Sequence, residues 1–218
     1  MKRLVIGFLA VLFMTTTAGA VTQEQQQLQP QEQVEVMISS VLEVLQQEEL
    51  TVDEKKQQVS GRIQQYLNMA SMSRRTLGNY WNEATPEQRQ RFSDLFVQVL
   101  EGTYLNRIND YSGGSVQYLK QRIKGDKAIV DTRFVSEDLE IPVKYKMIFE
   151  DESWQLFDVV IEGVSLIRNY RSSYGEIIRK TGYSGLFELM EIKVAAMMPE
   201  QVEQLEQPIG LEVAPTVQ

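Results

Sequence analysis

The sequence predicts an α+β domain, a four-stranded antiparallel sheet with helices packed on one of its faces. Two observations carry that reading. Apolar residues recur at a helical period through the first half of the chain, alternate between Ser115 and Ile161, then return to the helical period. Turn chemistry marks both changes, with Ser112-Gly113-Gly114 before the first strand and Gly163 after the last. The stretch so organised, residues 34–198, has the size of one domain, roughly 165 residues.

Val34, Ile38, Val41 and Leu45 share one face of a first helix. Thr51-Val52-Asp53-Glu54 is a capping box that opens a second, whose Val59, Ile63, Tyr66 and Leu67 lie together. A short segment over Ala70–Leu77 leads into Gly78-Asn79-Tyr80-Trp81. Thr85-Pro86-Glu87-Gln88 combines an N-cap threonine, proline at the first helical position and glutamine at the third. The stripe Phe92, Leu95, Phe96, Val99, Leu100 and Thr103 follows.

In the strand region, Ala128, Val130, Thr132 and Phe134 alternate with more polar neighbours, as do Ile141, Val143, Tyr145, Met147 and Phe149, leaving Lys144 and Lys146 to face water. Lys124-Gly125-Asp126-Lys127 puts glycine first in a two-residue loop, as a type II′ hairpin turn requires, and Asp151-Glu152 turns the next pair. A helix is expected from Val164 to Lys180, closed by Thr181-Gly182, with a final helix through Leu186, Leu189, Met190 and Val194.

The ends read differently. Lys2-Arg3, an apolar run from Leu4 to Met14 and Ala18-Gly19-Ala20 form a charged region, a short hydrophobic region and a small-residue cleavage site. The apolar run falls short of the ~20 residues that span a bilayer, so residues 1–20 are expected to be a cleaved signal peptide. Residues 21–33, Gln-rich, and 199–218, with Pro199, Pro208 and Pro215 among Gln and Glu, are expected to be a disordered lead-in and tail.

The formal net charge of −8 becomes −10 once Lys2 and Arg3 leave, with 20 basic against 30 acidic residues. Such a chain is not built to neutralise polyanions, so no nucleic acid partner is expected. With no Cys and no His in 218 residues, thiol nucleophiles, Ser-His-Asp arrangements and the usual zinc sites are excluded. No phosphate loop, dinucleotide fingerprint or calcium loop occurs, and no cofactor or metal is expected.

Three constellations remain. The apolar stripe of the 86–103 helix and the sheet face can be an ordinary core or the lining of a ligand cavity, and periodicity does not separate the two. Asp158 and Glu162 are expected to anchor structure, Asp158 through backbone amides or an arginine such as Arg168 or Arg171. Arg74-Arg75 beside Tyr80 and Trp81 reads as a helix end whose aromatics pack on the core.

Arg75–Trp81 (R-T-L-G-N-Y-W), Thr85–Phe92 (T-P-E-Q-R-Q-R-F), Trp154–Tyr174 (W-Q-L-F-D-V-V-I-E-G-V-S-L-I-R-N-Y-R-S-S-Y) and Arg179–Leu186 (R-K-T-G-Y-S-G-L) occur in that order. In these segments the chain resembles the MlaC, or toluene-tolerance, family over about residues 34–197. The resemblance implies a periplasmic phospholipid carrier with a cystatin-like or NTF2-like fold enclosing an apolar cavity. Such a carrier is not an enzyme. It shuttles lipid between an outer-membrane lipoprotein complex and an inner-membrane ABC transporter complex, maintaining outer-membrane lipid asymmetry in Gram-negative bacteria. The lining residues expected on that basis are Val130, Phe134, Val143, Tyr145, Met147 and Phe149 from the sheet and Phe92, Phe96 and Val99 from the helix, with Leu77 and Tyr80 near the mouth. Two other readings stay open: an isomerase of NTF2-like shape using Asp158 with Tyr145, and a periplasmic chaperone or adaptor presenting an apolar groove.

Overall fold

The computed structural model describes residues 29–106, 113–137 and 139–197. The expected signal peptide and 199–218 tail, and most of the expected 21–33 lead-in, lie outside them. The helices start where local chemistry satisfies their free amides. At Thr51, Oγ1 accepts from the Glu54 amide at 3.3 Å while Glu54 Oε2 accepts from the Thr51 amide at 2.9 Å, and α2 follows over Val52–Gln64. Thr85 and Gln88 repeat the exchange, and Pro86 opens α5 (Pro86–Tyr104). Between these lie α3 (Met69–Leu77), capped by Asn68, and the single turn α4 (Tyr80–Glu83).

Helix α1 runs from Pro30 to Leu45 and so begins inside the expected lead-in. Proline supplies the fixed φ of a first helical residue, and Glu32 accepts from the Gln29 amide at 2.8 Å. Composition misleads here because the glutamines occupy the wet side, while Pro30, Val34, Met37 and Ile38 are buried. Gln33 also has a specific job, donating to the Trp154 carbonyl at 2.6 Å.

The sheet has five strands, one more than expected, in the order β1 (Ser115–Lys124), β2 (Lys127–Val135), β3 (Glu140–Glu150), β4 (Ser153–Ile161) and β5 (Val164–Ser165). All neighbouring pairs are antiparallel. Gly125 sits at φ +59° in the β1–β2 turn. Asp151 and Glu152 both take positive φ, as a type I′ turn demands of non-glycine residues. Glu162 (φ 50°) and Gly163 (φ 85°) do the same. Gly163 therefore reverses the chain instead of opening a helix: Val164 and Ser165 pair back onto Ile161 and Val160, and α6 starts at Leu166.

Two bulges set the sheet's faces. Directly paired residues share a face, and on β4 the register steps from Met147↔Leu156 to Lys146↔Asp158, leaving Phe157 as the extra residue. Leu156 thus lies on the same face as Met147, and Asp158 on the opposite one with Lys146. Leu119 is the corresponding extra residue on β1. The far edge of β4 is sealed by Tyr66–Asn68, through Leu156 N to the Tyr66 carbonyl and Asn68 N to the Leu156 carbonyl, both 2.8 Å.

Helix α1 covers one face of the sheet, whereas α3, α5 and α6 (Leu166–Met197) form a helical layer that meets the sheet at β4. Gly182 (φ 71°, ψ −172°) interrupts α6 at the position where the sequence separates two helices. No described helix is long and apolar enough to cross a membrane.

Candidate functional site

The apolar interior divides into two clusters. In the helical layer, Phe92 and Phe96 stack at 5.4 Å between ring centroids, Tyr174 meets both edge-on, and Tyr170 meets Phe96 edge-on at 5.3 Å. Met72, Leu77, Leu95, Val99, Ile178, Leu186 and Met190 complete this cluster. Beneath α1, Val34, Met37 and Ile38 pack on Ala128, Val130, Met147, Trp154 and Leu156, with Tyr66, Tyr118, Tyr145 and Phe149 half-buried at the margin. Leu67, in the segment that seals β4, borders both clusters. A third, smaller group around Val44, Leu45 and Val59 joins α1 to α2.

The eleven residues expected to line a cavity are split by this division. Leu77, Phe92, Phe96 and Val99 are buried in the helical cluster, and Tyr80 packs at its edge. Val130 and Met147 are buried under α1, with Tyr145 and Phe149 beside them. Phe134 is buried over Gly114, where a Cβ would collide with its ring at 2.0 Å, and Val143 is half-buried. Helix α5 packs chiefly on α6 and α3, and α1 occupies the position over the sheet that alternation and stripe assign to α5. Sequence reasoning missed α1 as a sheet partner, although its Val34/Ile38 stripe was visible, and the Tyr170, Tyr174, Ile178 row of α6.

Polar chemistry inside the clusters is sparse. Burial pushes the Tyr145 hydroxyl up to about 12, helped by neighbouring Tyr118 and opposed by a hydrogen bond with Thr132. The Tyr174 hydroxyl is raised further by burial and by Tyr170. Three buried hydroxyls of the helical layer, Ser73 Oγ, Thr76 Oγ1 and the Tyr174 OH, have no hydrogen-bond partner among the described residues.

Asp158 is an anchor that accepts from a backbone amide, as one of the two expected arrangements has it, with Lys146 and not Arg168 or Arg171 as its cation. Its carboxylate accepts from Lys146 Nζ at 2.8 Å, Ser165 Oγ at 2.7 Å and the Ile167 amide at 3.2 Å. Ser165 Oγ in turn accepts from the Arg168 amide at 3.1 Å and caps α6. This carboxylate is fully engaged, and the bulge sets it on the face opposite Tyr145, so the two do not converge on a common substrate position. Arg171 lies over Gly78, whose added Cβ would be 2.6 Å from its Nε. Arg75 stacks on Phe157 at 4.2 Å. Arg89 donates to the Trp81 carbonyl at 2.8 Å and Tyr183 to that of Tyr80, so the Arg75–Trp81 segment packs on the helical layer.

Of the eight residues lining the open surface groove along α5, Pro86, Glu87, Gln90, Arg91, Asp94, Leu95, Gln98 and Glu191, six are charged or polar. Among the described residues no group of three or more His, Cys, Asp or Glu could hold a metal ion.

Comparison with known proteins bears directly on these clusters. A phospholipid-binding protein from Ralstonia solanacearum, solved in complex with a phospholipid, superposes with a TM-score of 0.71 at 22% identity, covering 77% of this chain and 97% of that one. Among sequences, the intermembrane phospholipid transport system binding protein MlaC of Haemophilus influenzae is 24% identical over 132 residues, covering 58% of this chain and 62% of that protein. The toluene tolerance protein ttg2D of Pseudomonas putida is 24% identical over 105 residues, covering 47% of this chain and 49% of that protein. The chain thus spans about half to three fifths of the length of these curated relatives. The profile of the family described as MlaC protein matches residues 35–191, from the second turn of α1 into the last turns of α6, taking in both clusters apart from Val34. This chain belongs to the MlaC family.

Proposed function

We propose that the protein is a phospholipid carrier of the periplasm, exported by a cleaved signal peptide and acting without covalent chemistry. It receives lipid from one membrane system and delivers it to another, through an outer-membrane lipoprotein complex and an inner-membrane ABC transporter complex. The observation that carries this reading is the pair of apolar clusters meeting at Leu67 in a chain of this family. Acyl chains enter between the α1-covered sheet and the helical layer, drawing on Val130, Tyr145, Met147 and Phe149 from one side and Phe92, Phe96 and Leu77 from the other. At about 0.8 kcal/mol per buried CH₂, two chains of roughly 28 methylenes cost on the order of 20 kcal/mol to expose to water. Free diffusion of the lipid is therefore negligible, and direction must come from the partners.

The chain's two tryptophans sit one in each cluster, Trp154 buried under α1 and Trp81 against the helical layer. Native mass spectrometry and lipid extraction of the purified protein should recover phospholipid. In single-tryptophan variants (Trp81→Phe or Trp154→Phe), delipidation should shift the emission of the remaining tryptophan. A lipid-free protein unable to extract phospholipid from liposomes would sink the proposal.

A further inference from the structure

The sheet face opposite α1 reverses the charge of the rest of the chain. Residues paired across this face include Lys124↔Lys127, Arg122↔Ile129↔Lys146↔Asp158, Lys120↔Asp131↔Lys144 and Gln117↔Arg133. It carries seven cations, five of them lysines, against the four carboxylates of Asp131, Glu140, Glu150 and Asp158. The whole sequence runs the other way, with 22 basic and 30 acidic residues. Asp131 and Asp158 are buried at 6% and 4% exposure, so their charge is spent inward. Arg122 and Lys144 both reach Asp131, at 3.1 and 3.7 Å, Lys146 holds Asp158, and Arg133 pairs with Glu140. Lys120, Lys124 and Lys127 are exposed and make no ion pair among the described residues. On this side α3 and α6 pack chiefly on β4, and on β3 Ile148 is buried and Lys146 largely so, while Gln117, Lys120, Arg122, Lys124 and Lys127 of β1 and β2 and Lys144 of β3 stay exposed.

We propose that this basic face of β1–β3 is a docking surface for an anionic phospholipid bilayer, independent of whether lipid is also held inside. The net negative charge of the chain does not oppose it. Screening by salt makes a charge's potential decay over about 8 Å at physiological ionic strength, so a bilayer senses chiefly the face presented to it. The acidic remainder then orients the molecule, sheet inward. Lysine predominates, and its compact charge on a flexible stem suits mobile lipid phosphates better than the fixed fork of arginine does. On the free edge, Leu119, the extra residue of the β1 bulge, is 51% exposed and available to the headgroup layer. Protection of the edge strand from other strands accounts for Lys120 and Lys124 but not for Lys127, Lys144 and Lys146 on interior strands.

The test is flotation of the full mature chain with vesicles of phosphatidylcholine alone or with about one third phosphatidylglycerol, at low and high salt. Each cation near an anionic surface changes partitioning by about fivefold, so Lys120→Glu/Lys124→Glu/Lys127→Glu, which removes three cations and adds three carboxylates, should lose at least about a hundredfold on the anionic vesicles. Arg74→Glu/Arg179→Glu/Lys180→Glu, the same charge change on exposed helical positions, should lose less than threefold. Circular dichroism melts checks that both fold. Phospholipid retained by the sheet variant in native mass spectrometry would separate docking from carriage. No preference for anionic vesicles, or equal losses in the two variants, would overturn the proposal.

Discussion

The helical layer and the α1-covered sheet bury apolar residues by different means. In the first, three helices enclose four aromatic rings in mutual stacked and edge contacts, with Phe92, Phe96, Leu186 and Met190 wholly buried. In the second, a single helix lies across the sheet, and Tyr66, Tyr118, Tyr145 and Phe149 remain half-buried along its margin. A core closed by helices on several sides has little room to open without losing close packing. A core closed by one helix can part along that helix while the sheet's hydrogen bonds stay intact. The difference teaches that the helical layer is the more tightly closed of the two cores and the α1-covered sheet the more open one.

The largest expected effect tests that division directly. Phe96→Ala should cost about 3–5 kcal/mol of unfolding free energy by urea titration. Met147→Ala under α1 should fall at the lower end of the 2–5 kcal/mol range for such truncations. Equal losses would erase the distinction between the two cores. Asp158→Ala should come next, at about 1.5–3 kcal/mol, because it removes the charged hydrogen-bond acceptor that holds the partly exposed Lys146 and the start of α6. A hydrogen-exchange map should then show α6 loosening before α1, and the reverse order would tie Asp158 to the wrong region.

Tyrosine titration sharpens the same contrast. The Tyr145 hydroxyl is raised from about 10 to about 12. The folded state therefore holds its proton while the unfolded chain gives it up. Stability from this group is complete below pH 10 and is lost as pH climbs from 10 to 12. Tyr145→Phe should flatten part of that alkaline decline in circular dichroism melts, and Tyr174, raised by burial in the helical layer, should account for much of the rest. The smallest effect belongs to neither core. Asp151→Asn places a residue more tolerant of positive φ in the β3–β4 turn, and should gain about 0.5 kcal/mol by thermal melt without changing lipid content.

What sequence could reveal follows from the range of each signal. The caps at Thr51 and Thr85, the Gly125 turn and the break at Gly182 are set by neighbours within four residues, and each is found where the sequence puts it. The α1 start was obscured because glutamine counts as disorder-promoting whether or not its neighbours form an apolar stripe. Strand β5 is two residues long, too short for any period to register. The candidate lining residues were mostly recognised as interior, but the helix facing the sheet was not, because a stripe reports that a helix is buried and not against what. Alternation along Trp154, Leu156, Asp158 and Val160 is unbroken in burial, yet these residues serve two different neighbourhoods. Pairing, not hydropathy, reveals the exchange.

That exchange depends on Phe157 alone, and it gives β4 one residue of slack in its length. Removing this residue would leave Leu156 opposite Met147 and Asp158 opposite Lys146, because the ladder already steps over it. Asp158 would keep Lys146, Ser165 and the α6 amide, and the local loss would be the Phe157 ring beneath Arg75. A regular strand has no such spare position, since losing one residue turns all that follow to the other face. Here a single-codon deletion would shorten the strand while every downstream assignment as far as β5 keeps its place.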